Sequence, residues 1–286
     1  NPFLAVLSCD ATEDTGEVFA MNLVYSGNFL GVAQGHHFRG TRIVMGINPV
    51  NFSWKLEPGD TFTAPEVVMV YSDRGLGKMS RTFHDLYRGH LIRDVYPDTS
   101  RPVLINNWEA TYFGFTFDRL IEIAAEASKC GIELFVLDDG WFGDRNDETK
   151  GLGDWFVNEN KLKGGLQNLI EQVNRMGMKF GLWFEPEAIS EESRLYREHP
   201  EWVLRIPGRE PVRGRYQLNL DLSNPEVVDY LYHVLGKILG ENHIEYVKWD
   251  MNRSICDWYT KGLPKGRQKE VPHRYVLGLY ELLERL

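Results

Sequence analysis

The sequence predicts an α/β chain in which an antiparallel β region leads, through a helix, into a parallel strand–helix repeat of the (β/α)8-barrel kind. Three observations carry this. Short runs rich in Val, Ile, Phe and Tyr fill residues 17–71; strands alternate with amphipathic helices after Arg101; and polar and aromatic residues gather at the C-terminal ends of those later strands.

In the first region the runs are broken at Ser26-Gly27-Asn28, Gly35, Gly46, Pro49 and Pro58-Gly59-Asp60, the punctuation of antiparallel strands and their turns. Residues 77–91 then place Met79, Phe83, Leu86, Tyr87 and Leu91 close to helical spacing, ahead of the breakers Tyr96-Pro97 and Arg101-Pro102. This stretch reads as a linker helix. Beyond it, strands are expected at 103–108, 134–138, 179–184 and 244–250, and helices at 117–130, 166–176 and 225–239, with a polar hairpin around Pro207-Gly208. A last helical stretch occupies 273–286.

Strand then helix in repeated register implies parallel strands with right-handed crossovers, in a barrel or an open doubly wound sheet. No G-x-G-x-x-G follows the first strand, and the polar residues lie where a barrel keeps its active site, so the barrel is preferred.

Composition narrows the function. The 286 residues are 43% hydrophobic, enough for a sizeable core, and carry a formal net charge of −9 with Lys and Arg scattered. Nothing there would neutralise a polyphosphate or hold an anionic membrane, so neither nucleic acid nor membrane is an expected partner. No run of about 18 apolar residues exists to span a bilayer. Cys9, Cys130 and Cys256 are far apart and lack C-x-x-C spacing, which points to a reducing, cytoplasmic setting without a disulfide framework or zinc knuckle.

The residues that could carry chemistry lie at or after the strand ends. In Tyr246-Val247-Lys248-Trp249-Asp250, alternation along a strand puts Lys248 and Asp250 on one face, and an ammonium beside a carboxylate keeps it ionised, as a nucleophile requires. The alternative is a structural ion pair. Asp138-Asp139-Gly140-Trp141 could bind two sugar hydroxyls, hold a cation or merely shape a turn. The spacing of Asp144, Asn146 and Asp147 does not make a calcium loop, and no His spacing suggests zinc, so no metal or cofactor is expected. Trp108 and Trp183 close the first and third strands, where a flat indole could form a wall for a sugar ring. Glu185 and Glu187, around Pro186, read as structural, and Arg215 sits in the hairpin before the third crossover helix.

Three strings, Leu137-Asp138-Asp139-Gly140-Trp141-Phe142-Gly143, Gly181-Leu182-Trp183-Phe184-Glu185-Pro186-Glu187 and Lys248-Trp249-Asp250-Met251-Asn252-Arg253, together resemble the microbial α-galactosidases of glycoside hydrolase family thirty-six. The resemblance covers the whole chain. It implies that residues 1–76 are the end of an N-terminal antiparallel β-supersandwich, 77–100 a linker helix, and 101–286 the first half of a catalytic (β/α)8 barrel. It further implies an α-galactoside substrate, Asp250 as nucleophile, and a galactose subsite of Trp108, Asp138, Asp139, Trp183, Arg215 and Lys248. The acid/base Asp of that family is implied on a barrel strand after Leu286, and a homo-oligomer, often a tetramer, is implied as the assembly. A galactosyltransferase of the same fold and a noncatalytic galactose-binding fragment are the competing readings; the third string looks hydrolytic.

Overall fold

A computed structural model describes residues 2–38, 40–93 and 99–286. The chain divides into two compact units, Asn1–Arg101 and Pro102–Leu286.

In the first unit, β1 (Phe3–Leu7), β2 (Val18–Leu23) and β5 (Val67–Ser72) form an antiparallel sheet with β2 central, and β3 (Phe29–Gly35) pairs with β4 (Thr41–Ile47) as a hairpin. The antiparallel expectation holds. The predicted helix begins slightly early, as α1 (Gly75–Leu86), and closes in a π-helical turn at Tyr87–Leu91. Its Met79 and Phe83 are buried against Val18, Ala20 and Val70 of the sheet, because an amphipathic helix is stable only with its apolar stripe covered. The Tyr96-Pro97 breaker lies outside the described residues.

The second unit carries β6 (Leu104–Asn106), α2 (Trp108–Thr111), α3 (Phe117–Lys129), β7 (Leu134–Leu137), α4 (Gly165–Arg175), β8 (Lys179–Phe184), β9 (Ala188–Ile189), α5 (Arg194–Glu198), β10 (Leu218–Asn219), α6 (Pro225–Glu241), β11 (Tyr246–Trp249) and α7 (Val271–Arg285). The helices start where capping chemistry says they should. Thr116 accepts the Arg119 N–H at the head of α3, and Asn224 accepts the Glu226 N–H ahead of Pro225 in α6.

The four main strands are parallel and lie in the order β6-β7-β8-β11. Each new strand adds to the same side of its predecessor, with no reversal of order. A doubly wound sheet reverses at its switch point, whereas a closing barrel does not. The order is that of the first four strands of a (β/α)8 barrel.

All four residues of β7 are buried, as expected of a parallel strand covered on both faces. Its Phe135 and Leu137 share one continuous core with Leu120 and Ala124 of α3, Leu166, Ile170 and Val173 of α4, and Leu235 of α6. Between β8 and α6 the chain makes an excursion in which Ala188 and Ile189 pair antiparallel with Leu218 and Asn219. The predicted polar hairpin thus extends further than its Pro207-Gly208 turn.

The sheet ends at β6 and β11, where Val103, Leu104, Tyr246 and Val247 are 58%, 43%, 39% and 37% exposed. Two open edges bearing apolar side chains template further pairing. The 286-residue chain purified alone should therefore self-associate, and a monodisperse monomer by light scattering would contradict this. Among the described residues, no helix is long and apolar enough to cross a membrane.

Candidate active site

The loops that follow β6, β7, β8 and β11 emerge at one edge of the parallel sheet, since parallel strands share a C-terminal end. After β7, the Asp138 N–H donates to the buried Asn107 Oδ1 at 2.8 Å, and the chain turns through Gly140 at φ +101°. A Cβ there would lie 3.1 Å from the Phe113 ring and 3.3 Å from Lys161 Nζ, so the turn needs glycine for both conformation and space.

The two adjacent carboxylates have different partners. Asp138 Oδ2 accepts from Lys248 Nζ at 2.7 Å and from Asn106 Nδ2 at 2.5 Å, joining β6, β7 and β11 through one oxygen. Asp139 is held by Arg145, whose Nε and Nη2 make three contacts of 2.8–3.2 Å with its two oxygens. Arg145 is 1% exposed. Burial pushes the Asp139 carboxyl up, and the Arg145 guanidinium pulls against that shift.

Lys161 supports the same loop. Its ammonium donates to the carbonyls of Phe113, Gly140 and Arg145 at 2.9–3.0 Å, and burial lowers its pKa to about 8.

Asp250 follows β11 directly, and its N–H continues the ladder to the Phe184 carbonyl at 2.8 Å. Oδ2 accepts from Trp183 Nε1 at 3.0 Å and from Asn252 Nδ2 at 2.7 Å; Oδ1 accepts the Met251 N–H at 3.1 Å. Burial would raise this carboxyl. The hydrogen bonds from Asn252 and Trp183, with the Lys248 charge and the Met251 N–H, outweigh it and bring the pKa below the ordinary carboxylate value.

The structure therefore brings Asp138, Asp139, Trp183, Lys248 and Asp250 into two hydrogen-bonded groups at the strand ends, one around Asp138 and Lys248 and one around Asp250. Trp183 is 1% exposed and stacks on Phe142, with ring centroids 6.1 Å apart, so what it offers the site is its indole N–H rather than an open face. Trp108 is half-buried and starts α2 instead of ending a strand, because the Asn106 side chain accepts its N–H at 2.8 Å and bends the chain. Its ring packs edge-on against Tyr112 and Phe113.

Arg215 makes no hydrogen bond with these groups. It is exposed at the tip of the Gly214–Gln217 turn, where it and Tyr216 adopt φ of +51° and +60°. Two consecutive left-handed non-glycine residues are costly, about 1–2 kcal/mol each, and such strain concentrates at functional turns. Arg253 anchors the turn through the carbonyls of Val212 and Gln217.

Asn106, Arg145, Lys161 and Asn252 escaped the sequence reading. Each is a single polar residue in a loop or at a strand end, without spacing that marks it. Asn252 alone was within reach, two residues past Asp250 in the quoted string. Glu185 and Glu187 are both buried, and among the described residues neither caps a helix nor makes an ion pair; Glu187 accepts from Trp249 Nε1 and the Tyr275 hydroxyl at 3.0 and 2.7 Å. Among the described residues, no three His, Cys, Asp or Glu side chains converge as metal ligands.

Residues 61–286 match the Melibiase family, and residues 1–57 match the glycosyl hydrolase family 36 N-terminal domain. The α-galactosidase AgaA of Geobacillus stearothermophilus is 51% identical over all 286 residues, which are 39% of its own length. An α-galactosidase of Lactobacillus acidophilus is 49% identical, again over 100% of this chain and 39% of the relative. The crystal structure of AgaA superposes with a TM-score of 0.98, covering 100% of this chain and 40% of that one, and a variant of AgaA in complex with raffinose gives 0.98 over the same shares. The chain thus spans about two-fifths of the length of the relatives it matches. It belongs to the melibiase family, with a glycosyl hydrolase family 36 N-terminal domain at its start.

Proposed function

We propose that the protein containing this chain removes terminal α-linked galactose from galactosides and galacto-oligosaccharides by double displacement with net retention. The observation that carries the reading is Asp250, a carboxylate at the end of β11 whose hydrogen bonds and neighbouring ammonium favour the ionised form. Relatives near 50% identity named as α-galactosidases, one of them solved with raffinose and with stachyose, support the substrate class.

In this reading Asp250 attacks the anomeric carbon while an acid protonates the glycosidic oxygen, and water then releases galactose from the covalent intermediate. The acid is assigned, by family resemblance, to a strand after Leu286. Asp138, Asp139, Lys248, Trp108, Trp183 and Arg215 form the galactose subsite; the two aspartates select hydroxyl configuration through oxygens not saturated by Lys248, Asn106 and Arg145. Residues 1–76, 77–100 and 101–286 are assigned as sandwich, linker and barrel. A cytoplasmic setting and a homo-oligomer, a tetramer, are our assignments; the free, exposed Cys9, Cys130 and Cys256 accord with a reducing setting.

Treating the full protein with a mechanism-based galactosyl inhibitor should add one galactosyl mass to the peptide containing Asp250, and the first-formed sugar in proton NMR should be the α-anomer. A β-anomer would sink the retaining mechanism. Because Asp250 must be ionised and its hydrogen bonds hold its carboxyl below the ordinary carboxylate value, the acidic limb of kcat/KM that it sets should lie below the usual aspartate range.

A further inference from the structure

Glu185, the first residue past β8, is 1% exposed, and no Lys or Arg pairs with it among the described residues. Its partners are neutral amides: the Asn252 N–H donates to Oε1 at 2.7 Å and Gln217 Nε2 to Oε2 at 3.3 Å. Two charged groups that act on it, Asp250 and Asp139, are both acidic. Burial first, then those two carboxylates, push its own carboxyl up against the Asn252 hydrogen bonds. A buried carboxyl without a counter-charge is costly to keep, and a hydrophobic residue of similar size would fill the space. What it does there is specific: it fixes the main chain of the residue that holds Asp250.

We propose that Glu185 is a positioning residue that orients Asp250 through Asn252, its Oε1 holding the Asn252 N–H so that the Asn252 side-chain amide is aimed at Asp250 Oδ2. The inference rests on Asp250 as nucleophile. With Trp183 and Asn252 both donating to Oδ2, that oxygen has its in-plane lone pairs occupied. Among the described residues Oδ1 accepts only the Met251 N–H, which leaves a lone pair for the anomeric carbon. Oδ1 is therefore the attacking atom. Opening of the bond to the leaving oxygen accompanies formation of the Oδ1–carbon bond, and the departing oxygen takes the proton of the acid.

The test uses the full protein carrying Asn252→Ala, Glu185→Leu or Glu185→Gln, with kcat/KM followed against pH, melting temperature measured for each, and the galactosylated residue mapped after mechanism-based labelling. Asn252→Ala removes one donor from the carboxylate, so the acidic limb should move to higher pH and the rate of labelling should fall about tenfold or more. Glu185→Leu should lower the labelling rate likewise, and the double variant should be no worse than the poorer single one, since both break one chain of contacts. Glu185→Gln keeps an acceptor for the Asn252 N–H, and Gln217 can turn its amide to face the new one, its Oε1 being buried without a partner. It should recover most of the rate lost in Glu185→Leu, with the limb at or below its original pH.

If Asn252→Ala leaves the limb in place, or Glu185→Gln loses tenfold in labelling rate, Glu185 does not position the nucleophile. Those two variants decide the matter even if Glu185→Leu fails to fold. A label mapped to a residue other than Asp250 would instead remove the assignment on which the inference rests.

Discussion

Replacing Asp250 with glycine in the full protein should lower hydrolysis of an activated α-galactoside by about 10⁴-fold or more, the scale on which loss of a catalytic nucleophile acts. Azide should then restore turnover, with β-galactosyl azide as the product. The structure gives a physical reason for the rescue. Removing the carboxylate leaves the Trp183 indole N–H and the Asn252 amide aimed at an empty space, with the Lys248 ammonium near enough to lower the pKa of the lost group. Donors and positive charge of that kind favour a small anion. An anion seated there attacks from the face opposite the leaving group, which fixes the β configuration. Recovery of the α-azide, or near-normal activity without azide, would take Asp250 out of its role.

The second large effect is on stability. Asp139→Asn should destabilise the protein by about 3–5 kcal/mol, the usual cost of leaving one member of a buried ion pair unpaired. Arg145 is 1% exposed and cannot reach water without opening the loop that Lys161 fastens. Changing both residues together, as Asp139→Asn with Arg145→Met, should recover most of the loss, because no buried charge then lacks a partner. Denaturant unfolding of the two variants reads this directly, and a double variant no more stable than the single one would refute it. Asp138→Asn should behave differently: its partner Lys248 is 38% exposed and can be hydrated, so stability changes less. The loss appears instead in kcat/KM, at about 1.5–3 kcal/mol of transition-state binding.

The contrast between the two aspartates shows where sequence reading stopped. Side by side in Asp138-Asp139-Gly140-Trp141, they offer the same chemistry: sugar hydroxyls, a cation or a turn are open to both, and the resemblance implies one sugar-binding role for the pair. Only the fold separates them, by placing Lys248, 110 residues away, on the first and Arg145 on the second. Trp183 is a similar case. Its position at the end of β8 was legible, but the stacking of Phe142 over its face, which turns it from a wall into a hydrogen-bond donor, depends on a loop whose path no local pattern records.

By itself the sequence determined the strand–helix repeat, its parallel sense, the strand ends where Asp138, Trp183 and Asp250 lie, and the family to which the strings belong. These follow from period, capping and turn chemistry, which act over a few residues, and from long motifs that are specific in themselves. What the tertiary structure decided was the ionic partner of each carboxylate, the turn that exposes Arg215, and the supporting roles of Asn106, Arg145, Lys161, Glu185 and Asn252. Such partnerships are set by geometry between distant segments. A lone polar residue in a loop looks the same whether water or a buried carboxylate satisfies it, and only the packed chain distinguishes the two.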